Sequence, residues 1–98
     1  MTFIILFEDN PDAAPDIRTA HMPAHLAFLK RRAATIQAAG PLFDGGGASA
    51  GGLWLVDAAT EADAEALVRE DPFWPTGLRK SFTALRWKQV FADGKALI

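Results

Sequence analysis

Two histidines and a few carboxylates and guanidiniums carry whatever chemistry this chain can do, because it contains no cysteine. That absence excludes a thiol nucleophile, a Cys-ligated metal and a disulfide scaffold. His25 stands two residues after Pro23 and four before Leu29, which places it in the first turn of a helix, beside the apolar stripe. The positive end of a helix disfavours the imidazolium form, and a nearby carboxylate could fix the tautomer of the neutral ring. The position therefore suits a general base working near pH 7. A half-buried histidine that only hydrogen-bonds a loop is the competing reading of the same residue.

Asp71, with Glu70 beside it, falls at the negative end of a second helix, where the dipole makes a carboxylate unfavourable. It could orient His25, pair with Arg18, or simply cap the turn before Pro72. Arg18 could grip a carboxylate or enolate oxygen of a substrate, or be a solvated surface charge. His21 and His25 have the spacing of a metal pair on one helix face, but Pro23 between them argues that position 21 precedes the regular helix, and no third ligand completes a motif. No metal is expected. The run Gly45–Gly52 lacks the lysine of a phosphate loop and does not open a helix, so it reads as a mobile hairpin loop or lid. Phe73, Trp74 and Trp87 could line an apolar pocket or pack in a core.

The elements that must position these residues follow from hydrophobic pattern. Phe3–Phe7 is apolar at consecutive positions, which predicts a strand over 2–8 buried on both faces. Leu26, Leu29, Ala33 and Ile36 recur at spacings of three and four, predicting a helix over 23–39 that opens on Pro23 and stops at Gly40-Pro41. Leu42-Phe43 and Leu53–Val56 read as two strands joined by the glycine-rich segment. Thr60 is a good N-cap for a helix over 60–70, a strand-like pattern runs from Ser81 to Phe91, and Asp93-Gly94-Lys95 is a turn. The order β-α-β-β-α-β is the split βαβ, or ferredoxin-like, α+β arrangement: a four-stranded antiparallel sheet with two helices on one face. It brings Glu8, Asp9, Arg18, His21, His25, the glycine-rich loop, Asp71, Phe73 and Trp74 to one edge.

At 98 residues the chain forms one domain over 1–98 with one core. Half its residues are hydrophobic, which excludes disorder. A net charge of −2, with both signs scattered, offers no basic face for nucleic acid. The first apolar run ends at Glu8-Asp9, too short for a signal peptide or a membrane span, so the mature chain is expected to begin near Met1 in the cytoplasm. The helices cover only one sheet face, while residues 3–7 and 53–56 are apolar toward both. A second subunit packed sheet on sheet is the simplest cover, which predicts a homodimer.

The same residues match a family. Phe7-Glu8-Asp9, Arg18 seven residues before His25, Pro23-Ala24-His25-Leu26-Ala27, Ala39-Gly40-Pro41, Asp71-Pro72-Phe73 with Gly77, and Lys88-Gln89-Val90-Phe91 resemble, in order and spacing, the YciI-like or YCII-related domain proteins. The resemblance implies a ferredoxin-like fold, dimers of the dimeric α/β barrel kind, and an active site centred on a histidine and an aspartate: His25, with Asp71 as first choice and Asp9 as second. A characterised branch of the family removes chloride from a chlorinated hydroxyquinol, and the fold is similar to that of muconolactone isomerase. Both imply proton transfer on small oxygenated rings.

The expected function is a dimeric lyase or isomerase in which His25 takes a proton, Asp71 orients it and Arg18 steadies the oxyanion, with Asp9, Phe73 and Trp74 as further substrate contacts and no cofactor. The competing class is a non-catalytic dimeric module that binds a small ligand. A haem-dependent or cofactor-free monooxygenase rests on fold analogy alone.

Overall fold

The computed structural model describes residues 1–98. The elements run β1 (Thr2–Asp9), α1 (Ile17–Arg31), β2 (Ile36–Phe43), β3 (Ser49–Asp57), α2 (Glu61–Glu70) and β4 (Arg79–Arg86), followed by a short hairpin of β5 (Phe91–Ala92) and β6 (Lys95–Ala96). The four long strands form one sheet in the order β2-β3-β1-β4, and every neighbouring pair is antiparallel. With two helices in the β-α-β-β-α-β order, this is the α+β ferredoxin-like fold.

β1 is central because it is apolar enough to be flanked on both sides. Phe3, Ile5 and Phe7 point toward the helices and are buried, at 3%, 0% and 5% exposure. They meet Val56, Trp54 and Gly52 of β3 in register, and Arg86, Ala84 and Phe82 of β4. Ile4 and Leu6 point the other way, where Leu6 keeps 38% of its surface exposed. The buried cluster of β1, Trp54, Val56, Phe28, Ile36, Ala64, Leu67, Val68 and Ala84 is the core.

The first helix departs from the expected 23–39 at both ends. It starts at Ile17, so Pro23 lies inside it rather than at its first position. It ends at Arg31, and the amide of Arg32 closes it on the carbonyls of Phe28 and Leu29. Ile36–Ala39, expected in its last turn, are instead the first half of the edge strand β2. Alanines at helical spacing imitated a stripe that a β-branched Thr35-Ile36 pair and Gly40-Pro41 interrupt. Pro41 is tolerated because an edge strand has one side without ladder bonds. The buried side chains of α1 are His25 and Phe28, while Leu26 is 48% exposed.

The connection between β2 and β3 is also tighter than the expected loop over 45–52. Only residues 44–48 form it, and Ser49–Gly52 belong to β3. The Asp44 carboxylate accepts from the amides of Gly46 and Ala48, both at 2.9 Å, which closes the turn. Gly51 lies at φ +94°, and a Cβ there would stand 2.0 Å from the Phe7 carbonyl oxygen. That position admits only glycine.

α2 follows its sequence signals closely. Thr60 accepts from the Asp63 amide at 3.1 Å, Glu61 and Asp63 occupy the first turn, and Ala64, Leu67 and Val68 are buried. Pro72 and a short 3-10 turn over Trp74–Thr76 lead into β4. β4 begins at Arg79 and stops at Arg86, so the strand expected through Phe91 splits into β4 and the terminal hairpin, which turns on Asp93 and Gly94 at positive φ. No helix is long and apolar enough to cross a membrane.

Candidate active site

The carboxyl end of β1, the first half of α1, the end of α2 and the start of β4 meet at one edge of the sheet. Asp71 lies at their centre. It caps α2 in an extended conformation, its side chain is 0% exposed, and both oxygens are used. Oδ1 accepts from the Phe73 amide at 3.0 Å and lies 2.9 Å from Nδ1 of His25. Oδ2 accepts from Nη1 of Arg79 at 2.9 Å. The turn cap before Pro72 and the histidine partner, set out as alternatives on sequence, are the same carboxylate.

The protonation of the pair follows from these contacts. An amide donor on Oδ1 and a guanidinium on Oδ2 hold Asp71 as a carboxylate, which can only accept. Nδ1 of His25 therefore carries a proton, and in the neutral ring the lone pair is on Nε2. Nε2 bonds to no protein group, and no buried side-chain polar atom lacks a partner, so the 10% of the His25 side chain that is exposed includes Nε2. Phe73 packs at a tilt against the imidazole with centroids 4.5 Å apart, and Trp54 flanks it at 6.4 Å.

His25 lines a cavity of about 170 Å³. One wall is the α1 row Met22, His25, Leu26 and Leu29; the other comes from Ala39, Gly40 and Pro41 of β2 and from Gly51, Gly52 and Leu53 of β3, Leu53 with its side chain on the far face of the sheet. Phe7, Trp54, Phe73 and Arg79 close the inner end, and Asp9 and Arg18 stand at the rim. A dry cavity of about 150 Å³ holds one benzene ring. This volume fits a single ring with a few substituents.

Arg18 and Asp9 pair with each other rather than with the dyad. Nη2 of Arg18 donates to Oδ2 of Asp9 at 3.1 Å, and Ser49 Oγ donates to the same oxygen at 3.0 Å. The pairing of Arg18 with Asp71 considered on sequence is thus corrected: Arg79 takes that place. Phe73 lines the cavity. Trp74 does not; it turns away and packs edge-on against Phe82, centroids 5.4 Å apart. Trp87 lies past the far end of β4, 42% exposed. His21 is exposed on the surface of α1.

Arg79 is the residue that sequence reading missed. Its side chain is 9% exposed, and its guanidinium lies 3.8 Å from the Phe7 ring centroid, 5.4 Å from that of Trp54 and 5.6 Å from that of Phe73. Burial draws its pKa below the usual arginine value, and the Asp71 charge and hydrogen bond oppose that shift. The signal available in sequence was a lone arginine two residues after Gly77, inside a stretch read as irregular.

A ferredoxin-like α+β fold with a buried aspartate–histidine pair opening on a ring-sized cavity defines the class to which this chain belongs. The chain is a member of the YCII-related domain family, whose model matches residues 1–88. It is similar in structure to 5-chloro-2-hydroxyhydroquinone dehydrochlorinase, TftG, of Burkholderia phenoliruptrix AC1100, solved in complex with 2,5-dihydroxybenzoquinone. The TM-score is 0.74 at 29% identity, over 90% of this chain and 94% of that one. No curated protein sequence matches it.

Proposed function

We propose that this chain is a small dimeric enzyme of lyase or isomerase type that moves a proton on a single oxygenated ring. The observation that carries the reading is His25, paired through Nδ1 with the buried Asp71 and lining a cavity of about 170 Å³. His25 acts as general base on a ring hydroxyl or an activated C–H. Asp71 keeps the proton on Nδ1 and steadies the imidazolium that forms. Arg18, exchanging part of its contact with Asp9 for the substrate, stabilises the developing oxyanion.

The similarity to a dehydrochlorinase supports a concrete version of this chemistry. Nε2 takes the proton of one ring hydroxyl and the proton is delivered to the chlorine-bearing carbon, giving the sp3 keto tautomer. A second ring hydroxyl then loses its proton, its O–H electron pair moves into the ring, and chloride leaves that carbon with its bonding pair. The products are a quinone and hydrogen chloride, with no oxidant required. An isomerase would return the proton to another ring carbon instead.

Ile4, Leu6, Leu53, Leu55 and Leu85 form an apolar patch on the sheet face away from the helices, with Leu6 38% and Leu85 50% exposed. Covering that patch with a second copy supports the homodimer, and the absence of cysteine suits a cytoplasmic setting. The test is a set of mono-chlorinated hydroxyhydroquinones and ring lactones, followed by chloride release and quinone absorbance. Turnover lost at least about a hundredfold in His25→Gln, with the fold retained, supports the enzyme. Saturable binding without turnover in either protein supports the ligand-binding module instead.

A further inference from the structure

We propose that Arg79 is a positioning residue of the site, which holds the second oxygen of Asp71 and thereby keeps His25 as a neutral, singly oriented base. The inference rests on the reading of His25 as the base and assigns a cause to its protonation state.

The geometry makes Arg79 part of the site and not only of the core. Asp71 Oδ1 meets His25 and Oδ2 meets Arg79, each at 2.9 Å. One buried carboxylate thus faces two potential cations, and a full positive charge already sits on one side of it. A second positive charge on His25 has no free negative partner to meet, so the neutral ring is the stable form beside the ion pair. The other charged or titratable groups near His25 do not alter this balance. His21 and Arg18 share α1 with it, and Arg18 is matched by Asp9 at the end of β1. From β2 and β3 the cavity beside the ring is lined only by Ala39, Gly40, Pro41, Gly51, Gly52, Leu53 and Trp54, none of them charged.

The guanidinium itself cannot easily leave. It lies on the Phe7 ring at 3.8 Å and is walled by Trp54 and Phe73. Phe73 also packs against His25 and donates its amide N–H to Asp71. A planar, delocalised cation fits between these rings; a lysine would supply the charge without the stack. The same three aromatic residues therefore fix the base, its carboxylate and the charge that compensates it.

The test reads the two ring nitrogens of His25 by long-range proton–nitrogen NMR across pH 5 to 9, with His21→Gln used to assign the only other histidine. In the parent chain the neutral ring is expected as one tautomer, proton on Nδ1. In Arg79→Met the His25–Asp71 pair should hold an extra proton to a pH higher by about one unit or more, because Asp71 then has the imidazolium as its only cation. Arg79→Lys should bring that midpoint back toward the parent's. Where turnover is measurable, the rising limb of its pH profile should move up with the same variant.

A parent chain with the proton on Nε2, or with mixed tautomers, overturns the proposal without any variant being made. So does a folded Arg79→Met whose His25 titration matches the parent's, since a purely structural arginine would lower stability and leave the imidazole untouched. The readout is a protonation state and not a rate, so a chain without turnover would contradict the enzyme while leaving the role of Arg79 separately decided.

Discussion

At the scale of single residues the site is a line of four groups: Arg79, Asp71, His25 and the open cavity. Its energetic centre is Asp71, because a fully buried carboxylate is stable only while each oxygen is matched. Asp71→Asn therefore does more than weaken the contact with His25. It leaves the Arg79 cation buried and unpaired, which typically costs about 3 to 5 kcal/mol. Urea unfolding should show that loss in full, with the midpoint lowered and the slope unchanged. Asp71→Asn combined with Arg79→Met should be less destabilising than the sum of the two changes, because each alone strands a buried charge.

Asp9 and Arg18 stand in contrast at the cavity rim. Their side chains are 25% and 38% exposed, so their ion pair is screened by solvent and contributes at most about 1 kcal/mol. Arg18→Met should leave the melting temperature nearly unchanged, while weakening binding of an oxygenated ring by roughly tenfold, the value of one charge-assisted hydrogen bond. A titration calorimeter and a melting curve on the same sample check both halves.

The elements set how precisely these residues are held. Pro23 inside α1 cannot donate to the Thr19 carbonyl, so the helix carries a gap in its ladder two residues before His25. Pro23→Ala should raise stability by about 1 to 3 kcal/mol in thermal unfolding. Gly51→Ala should do the opposite and impair folding, since its Cβ would overlap the Phe7 carbonyl and the backbone is at positive φ. Gly51 lines the cavity, and Pro23 follows Met22 of its opposite wall.

Legibility in the sequence divided along these same elements. β1, α2 with its Thr60 cap, and the turn at Asp93-Gly94 carry local signals that agree with their tertiary setting, and the structure places them where those signals point. α1 does not: alanine spacing extended it to position 39, while the interior proline hid its first turn. His25 lies in the part of α1 common to both readings, but in the third turn of the helix and not the first. The helix end expected to disfavour its charge is therefore not beside it, and the contact with Asp71 positions it instead. Topology brought Asp71 and His25 to one edge from the order of elements alone. What order could not reveal is which cation meets Asp71. Arg18 and Arg79 are equivalent as letters, and only the register of β4 against β1, with Asp9 opposite Arg79, decides between them.

For the whole molecule, the open question of cover belongs to the sheet face away from the helices. Its patch centres on Ile4, Leu6, Leu53, Leu55 and Leu85, in register across β3, β1 and β4. Light scattering at micromolar concentration should give twice the 10.6 kDa chain mass. Leu6→Glu should convert the dimer to monomer, because a charge at the centre of a dry sheet-on-sheet layer has no partner. A parent chain that is monomeric with this face exposed would remove the dimer from the account.

The claim on which the rest depends is that one oxygenated ring binds against His25 in the cavity beneath α1. The three tryptophans make it directly measurable, since Trp54 lines that cavity and neither Trp74 nor Trp87 does. Titration with 2,5-dihydroxybenzoquinone, followed by the indole and imidazole NMR signals, should move Trp54 and His25 together to saturation at one ligand per chain. Trp74 and Trp87 should remain still. A response confined to Trp74 or Trp87, or binding that leaves the His25 ring unperturbed, would contradict the account.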